Sequence, residues 1–122
     1  MQIASIAAYQ PSPLYASYAA TKSFILSFGE ALNLELKGTG ISCTVVSPGI
    51  TKSEFLDVAG QQPNVFQRLT VMESTDVARI GVNQMLRGTP SVVTGALNKL
   101  MVWSNRLMTR RWAGTVAYRL TR

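Results

Sequence analysis

The stretch SIAAYQPSPLYASYAATK, residues 5–22, decides the fold of this 122-residue chain because it joins a short apolar run to a long helix. A buried strand is predicted over residues 2–6, and a loop punctuated by two prolines follows it. A helix is then predicted from about Ser17, a good N-cap, to about Lys37, where Gly38-Thr39-Gly40 stops it. Strand, loop and helix in this order form the first unit of an α/β fold.

Tyr18 and Lys22 form a candidate catalytic pair near the beginning of this helix. Residues four positions apart lie on one face of a helix, so their side chains are expected to be neighbours. A phenol ordinarily titrates near pH ~10 and is a poor base at neutral pH, but a fixed ammonium beside it favours the phenolate. Ser5 lies near the end of the predicted strand, where its hydroxyl would lie beside the phenol. Together the three residues predict a hydride-transfer site.

Strands and helices are predicted to alternate after this first helix as well. The β-branched run at residues 41–46 predicts a central strand of a parallel sheet. Pro48-Gly49 ends this strand at the carboxyl edge of the sheet, where open α/β folds bind their ligands. Residues 53–73 show little periodicity and are predicted to form a lid or a binding loop. A second helix is predicted from a cap at Ser74-Thr75-Asp76 to about Leu86, and a short strand at residues 92–94 follows it.

Each predicted helix has one apolar face that is expected to be buried. In the first helix this face comprises Phe24, Phe28, Leu32 and Leu36, broadened by Ile25 and Leu34. In the second helix it comprises Val77, Ile80, Gly81 and Met85.

These motifs together resemble the short-chain dehydrogenase/reductase family. The resemblance rests on Ser5, on the Tyr-x-x-x-Lys of Tyr18 and Lys22, and on the downstream sequence Ser47-Pro48-Gly49-Ile50-Thr51. A Tyr-x-x-x-Lys alone is a weak signal, for which an exposed helix pair is the alternative; the combination is specific. The resemblance implies that residues 1–95 are the C-terminal, catalytic half of a doubly wound, Rossmann-like parallel-sheet domain. The composition of residues 96–122 predicts a basic helical appendage.

The resemblance also implies catalytic roles. Tyr18 matches the general acid/base that exchanges a proton with the substrate oxygen while hydride moves to or from a nicotinamide. Lys22 matches the lysine that favours the phenolate and binds the nicotinamide ribose. Ser5 matches the serine that holds and polarises the substrate carbonyl. The implied reaction interconverts an alcohol and a carbonyl, and the apolar content of residues 53–73 favours a hydrophobic substrate.

Four further residues match cofactor-binding positions of the family. Pro48 and Gly49 match the turn beside the nicotinamide, while Ile50 and Thr51 match positions that bind its carboxamide. The expected cofactor is NAD or NADP. The family's Gly-rich turn, which cradles the pyrophosphate at a helix N-terminus, has no counterpart in these 122 residues. The sequence therefore resembles either a fragment of a longer enzyme or a truncated, inactive product, for which the alternative role is a membrane-surface or protein-interaction module.

Composition excludes several other kinds of site. The chain has no histidine, which excludes a Ser-His-Asp triad and histidine metal sites, and its six acidic residues lack metal-ligand spacing. A single cysteine, Cys43, cannot form an internal disulfide, which favours a reducing, cytoplasmic compartment. No apolar run is long enough to span a bilayer. We therefore expect a soluble or membrane-peripheral protein.

The net charge of +6 belongs entirely to the C-terminal segment, because residues 99–122 hold six Lys/Arg and no acid. Two short helices broken near residues 108–111 are predicted there. The segment is interpreted as a packed appendage with a solvated basic face, or alternatively as an attachment to an anionic membrane surface or an acidic partner. Nucleic acid is not expected, since no recognised binding module accompanies the charge. Self-association into a homo-oligomer is a further expectation, because the first strand would expose an edge.

Overall fold

Three parallel strands lie at the centre of the fold. The structure, a computed structural model, describes residues 1–52 and 69–121. The strands of this part of the chain are β1 (Gln2–Ile3), β2 (Val45–Ser47), β3 (Thr51–Lys52), β4 (Met72–Glu73) and β5 (Ser91–Val93). The main sheet has the order β1-β2-β5, and β3 pairs with β4 in a small second sheet. Both sheets are parallel, and β2 is the central strand of the larger one, as the apolar run predicted.

Helices alternate with the strands. They are a 3₁₀ turn (Ile6–Tyr9), α1 (Ala16–Glu35), α2 (Ser74–Leu86), α3 (Ala96–Asn105) and α4 (Arg110–Thr121). The predicted order of strand, helix, strand, helix and strand is confirmed, together with the break in the C-terminal helical segment. The predicted lid at residues 53–73 falls largely on residues 53–68, which lie outside the described residues.

Two glycines let helices approach β2 from opposite sides. Successive side chains of a strand point to opposite faces, and Val45 and Val46 are both almost fully buried. A Cβ at Gly29 of α1 would lie 2.3 Å from Val45 Cγ2, and one at Gly81 of α2 would lie 3.1 Å from Val46 Cγ2. The central strand is thus covered by α1 on one face and by α2 on the other.

The strand boundaries differ from the prediction for a physical reason. Strand β2 begins at Val45 and not at Ile41. Pairing with β1 begins where the N–H of Gln2 bonds the Thr44 carbonyl, and Ile41 lies exposed before this point. Strand β1, which was predicted over residues 2–6, ends at Ile3. The backbone N–H of Ile6 still bonds the carbonyl of Pro48, but proline has no N–H with which to continue the ladder.

Neither predicted helix cap is formed. Helix α1 begins at Ala16, with Tyr15 rather than Ser17 at the N-cap, because Leu14 adopts a positive φ and turns the chain into the helix earlier. Helix α2 begins directly at Ser74, since Glu73 still pairs with β3 as part of β4 and no side chain caps the helix.

The predicted buried face of α1 is also partly wrong. Phe24, Phe28 and Leu34 are exposed, and the two phenylalanine rings stack on each other with centroids 5.7 Å apart. The fully buried residues of α1 are Ala19, Leu26 and Gly29. Small residues face the sheet because they permit the close approach to β2, and a count of large apolar residues does not detect them. In α2 the expected face is correct, although only Gly81 is fully buried.

Candidate active site

The carboxyl edge of the main sheet brings the two predicted motif regions together. Strands β1 and β2 are parallel, so both end at this edge. The N–H of Ile6 donates to the carbonyl of Pro48 at 3.0 Å. This bond fixes the segment after β1, which contains Ser5, against the turn after β2. Residues that are distant in sequence thereby line one edge of the sheet.

Ser5 lies at the junction between β1 and the 3₁₀ turn. Its backbone is extended and its residue surface is only 8% exposed. The hydroxyl oxygen accepts a hydrogen bond from the N–H of Ala7 at 3.2 Å. A serine hydroxyl that accepts one bond still has its proton to donate, so Ser5 can donate to a substrate oxygen.

Lys22 links the helix to the strand end. Its Nζ donates to the carbonyl of Ile3 at 3.0 Å and also lies over the Tyr18 ring, 5.6 Å from the centroid. This distance is within the range of a cation–π contact. The expectation that Tyr18 and Lys22 share one helix face is confirmed. The backbone anchor holds the ammonium beside the aromatic ring, while Tyr18 remains 45% exposed and accessible.

The Pro48–Gly49 turn packs against Asn98 of α3. The sequence patterns did not predict this residue. Asn98 is 1% exposed and its Nδ2 donates to the Thr94 carbonyl at 2.9 Å. A Cβ at Gly49 would lie 2.4 Å from Asn98 Nδ2. Glycine is therefore required at this position by the amide packed against it. Only a weak pattern in the sequence points to Asn98. It lies four positions before Val102 and so shares a helix face with that apolar residue, which is buried.

Ile50 and Thr51 continue from this turn into β3. The Thr51 hydroxyl donates to the Gly49 carbonyl at 3.3 Å, and the Ile50 carbonyl accepts from the Met72 N–H at 3.0 Å. An apolar depression of about 270 Å³ lies beside this segment, between the sheet and α2. The segment that matched cofactor-binding positions thus borders open space on its α2 side.

A second tyrosine, Tyr9, lies close to the sheet but in a different environment. Burial raises the pKa of its phenol, and the Glu30 carboxylate raises this pKa further. The Ser47 and Ser91 hydroxyls and the Arg106 guanidinium partly offset these two effects. Glu30 also accepts a hydrogen bond from the Ser91 hydroxyl. Tyr9 therefore stays protonated at neutral pH and is a poor candidate for the general base.

The described residues form neither a metal-ligand cluster nor a membrane-spanning helix. Within residues 1–52 and 69–121, no group of three or more His, Cys, Asp or Glu side chains is arranged to hold a metal ion. None of the helices in the same part of the chain is both long and apolar enough to cross a membrane.

Comparison with known proteins identifies the family. The family model described as short chain dehydrogenase matches residues 1–64. The chain belongs to the short-chain dehydrogenase family. The residues that this family model matches include Ser5, Tyr18, Lys22 and the segment from Pro48 to Thr51. The resemblance predicted from the sequence is therefore confirmed.

Individual relatives agree with this assignment. The chain is 31% identical to an oxidoreductase of Myxococcus xanthus over 74% of its own length and 34% of that protein's length. It is 42% identical to 17-beta-hydroxysteroid dehydrogenase type 3 of Mus musculus, over 39% of the chain and 16% of that protein. The chain thus spans about a third or less of either relative.

A solved structure supports the predicted fold. The chain superposes on a 7β-hydroxysteroid dehydrogenase with a TM-score of 0.80, over 94% of this chain and 45% of that one, at 22% identity. The predicted α/β fold with a parallel sheet is confirmed.

Proposed function

We propose that this chain is the catalytic half of an NAD(P)-dependent oxidoreductase that interconverts an alcohol and a carbonyl. The observation that carries this proposal is the position of Lys22. Its ammonium is bonded to the end of β1 and lies over the Tyr18 ring. A fixed cation beside an accessible phenol is suited to proton exchange with a substrate oxygen.

Each of the three catalytic residues has a distinct task in this proposal. Tyr18 donates its phenolic proton to the substrate oxygen in the reduction direction and takes it back in oxidation. Lys22 stabilises the phenolate that forms when the proton leaves. Ser5 donates its hydroxyl proton to the same substrate oxygen and so orients the carbonyl. Its extended, buried backbone keeps this donor fixed at the strand end.

The residues of the carboxyl edge fit a nicotinamide cofactor. Lys22 offers an ammonium for ribose hydroxyls, and Thr51 and the Ile50 backbone offer polar groups for the carboxamide. Pro48 and Gly49 form the turn beside which the nicotinamide would lie, and the packing of Gly49 on Asn98 fixes this turn. NAD or NADP, when bound, supplies or accepts the hydride. The pyrophosphate has no Gly-rich turn within these 122 residues, so we expect turnover from a longer protein that includes this segment and not from the segment alone.

The proposed substrate class is a hydrophobic secondary alcohol or ketone. Two of the similar proteins are named as hydroxysteroid dehydrogenases. The exposed phenol of Tyr18 and the apolar depression beside Thr51 are compatible with such a substrate.

The test is Tyr18→Phe in a full-length context, with Tyr15→Phe as the matched control from the residue just before α1. We expect Tyr18→Phe to lower kcat by at least about 100-fold, because general acid/base catalysis contributes about that factor or more. Cofactor affinity should stay nearly unchanged. Lys22→Ala should lower both turnover and cofactor affinity. A Tyr18→Phe enzyme with near-normal turnover, or a Tyr15→Phe enzyme that is equally impaired, would show that the assignment is wrong.

A further inference from the structure

The outer faces of α3 and α4 carry large apolar side chains next to cations. Trp103 is 57% exposed, Trp112 is 65% exposed and Leu107 is 73% exposed. We define the basic-apolar surface as the exposed residues of this region: Leu100, Trp103, Leu107 and Trp112 with Lys99, Arg106, Arg110 and Arg111. Exposed tryptophans in such a group are uncommon unless the surface binds something.

The other faces of these helices are already occupied. The Asn105 side chain of α3 donates to the Gln10 side chain, and Gly114 of α4 packs on Pro11. Val102 of α3 and Ala113 of α4 are buried. Both helices therefore pack onto the loop between Ser5 and Tyr18. The basic-apolar surface lies on the faces of α3 and α4 that do not pack against this loop.

Among the described residues, no ion pair joins a cation of this surface to an acidic side chain. Residues 99–122 contain no Asp or Glu. The ion pairs found among the described residues join Lys52 to Glu73 and Arg79 to Asp76, away from this surface. The surface is thus complementary to an anionic one.

We propose that the basic-apolar surface docks onto an anionic lipid bilayer, with α3 and α4 lying at the level of the headgroups. Tryptophan prefers the membrane interface, where its ring is buried and its N–H stays hydrated. Interleaved cations bind the anionic headgroups, and apolar side chains between them enter the acyl boundary. An acidic protein would also satisfy the charges, and the experiment below distinguishes it from a bilayer. This inference does not depend on the proposed enzymatic activity.

The experiment is vesicle flotation of the 122-residue chain combined with tryptophan fluorescence. Vesicles of phosphatidylcholine with about 30 mol% phosphatidylserine are compared with phosphatidylcholine alone, at low and at high salt. Flotation separates bound protein from aggregates, which stay at the bottom of the gradient. The chain has only two tryptophans, Trp103 and Trp112, so its emission reports directly on the proposed surface. We expect flotation with anionic vesicles only, weakened by salt, with a blue shift of the emission.

A charge variant and a matched control complete the test. Arg110→Gln/Arg111→Gln should bind anionic vesicles about 30-fold more weakly, from the free energy that two cations contribute near such a surface. Lys37→Gln/Arg87→Gln removes two exposed cations elsewhere and should bind like the unchanged chain. Equal flotation with neutral vesicles, equal loss in both variants, or flotation without a blue shift would overturn the proposal. So would binding to polyglutamate in place of vesicles, which would identify an acidic protein as the partner.

Discussion

Gly49→Ala should destabilise the fold through a single steric contact, that with Asn98. The new Cβ would lie 2.4 Å from Asn98 Nδ2 and 2.7 Å from its Cγ, whereas non-bonded heavy atoms pack best at about 3.5–4.0 Å. Asn98 cannot easily move away, because it is 1% exposed and bonded to the Thr94 carbonyl.

The magnitude follows from the two ways in which the clash can be relieved. If the turn shifts, overpacking costs about 1–3 kcal/mol. If the amide rotates, the loss of its hydrogen bond and the unpaired buried group cost about 1–3 kcal/mol. We therefore expect a loss of about 2 kcal/mol in the free energy of unfolding.

Urea denaturation of a double-mutant cycle tests this explanation. In the Asn98→Ala background, Gly49→Ala should cost less by about 1–2 kcal/mol, since its Cβ then has space. Gly114→Ala is the control, because its Cβ would contact Pro11 at an ordinary 3.4 Å, and it should be neutral or stabilising. An equal cost of Gly49→Ala in both backgrounds would show that Asn98 is not the source of the clash.

Two further predictions concern stability. Gly29→Ala should lower the free energy of unfolding by about 2 kcal/mol, because overpacking against buried Val45 outweighs the gain in helix propensity. Gly81→Ala, with a 3.1 Å contact, should change this free energy far less. Equal urea midpoints for the two variants would show that these contacts do not set the cost. The raised pKa of the Tyr9 phenol means that the unfolded chain loses this proton at lower pH than the folded chain. The contribution of the Tyr9 phenol to the free energy of unfolding is thus fully present below pH ~10 and is lost as the pH rises through the pKa of the folded chain. Unfolding measured from pH ~8 to ~11 should show a smaller decline for Tyr9→Phe than for the unchanged chain, and identical slopes would count against the assigned environment.

Local sequence patterns predicted the candidate catalytic pair and the order of the elements. Tyr18 and Lys22 meet because helix geometry places residues four apart on one face, a local rule that needs no tertiary contact. The β-branched run before Pro48 predicted a central parallel strand for an equally local reason, since such a strand is apolar on both faces.

Which residues pack together across the sheet depends on the tertiary structure. The buried face of α1 was predicted wrongly from Phe24 and Phe28, because close approach to β2 selects Gly29, which carries no apolar side chain to count. Asn98 was missed because its role depends on Gly49, a residue far away in sequence, whose turn reaches it only after β2 and β5 have paired. Contacts of this kind depend on the register of the strands and the depth of the helices, and neither is encoded in a local pattern.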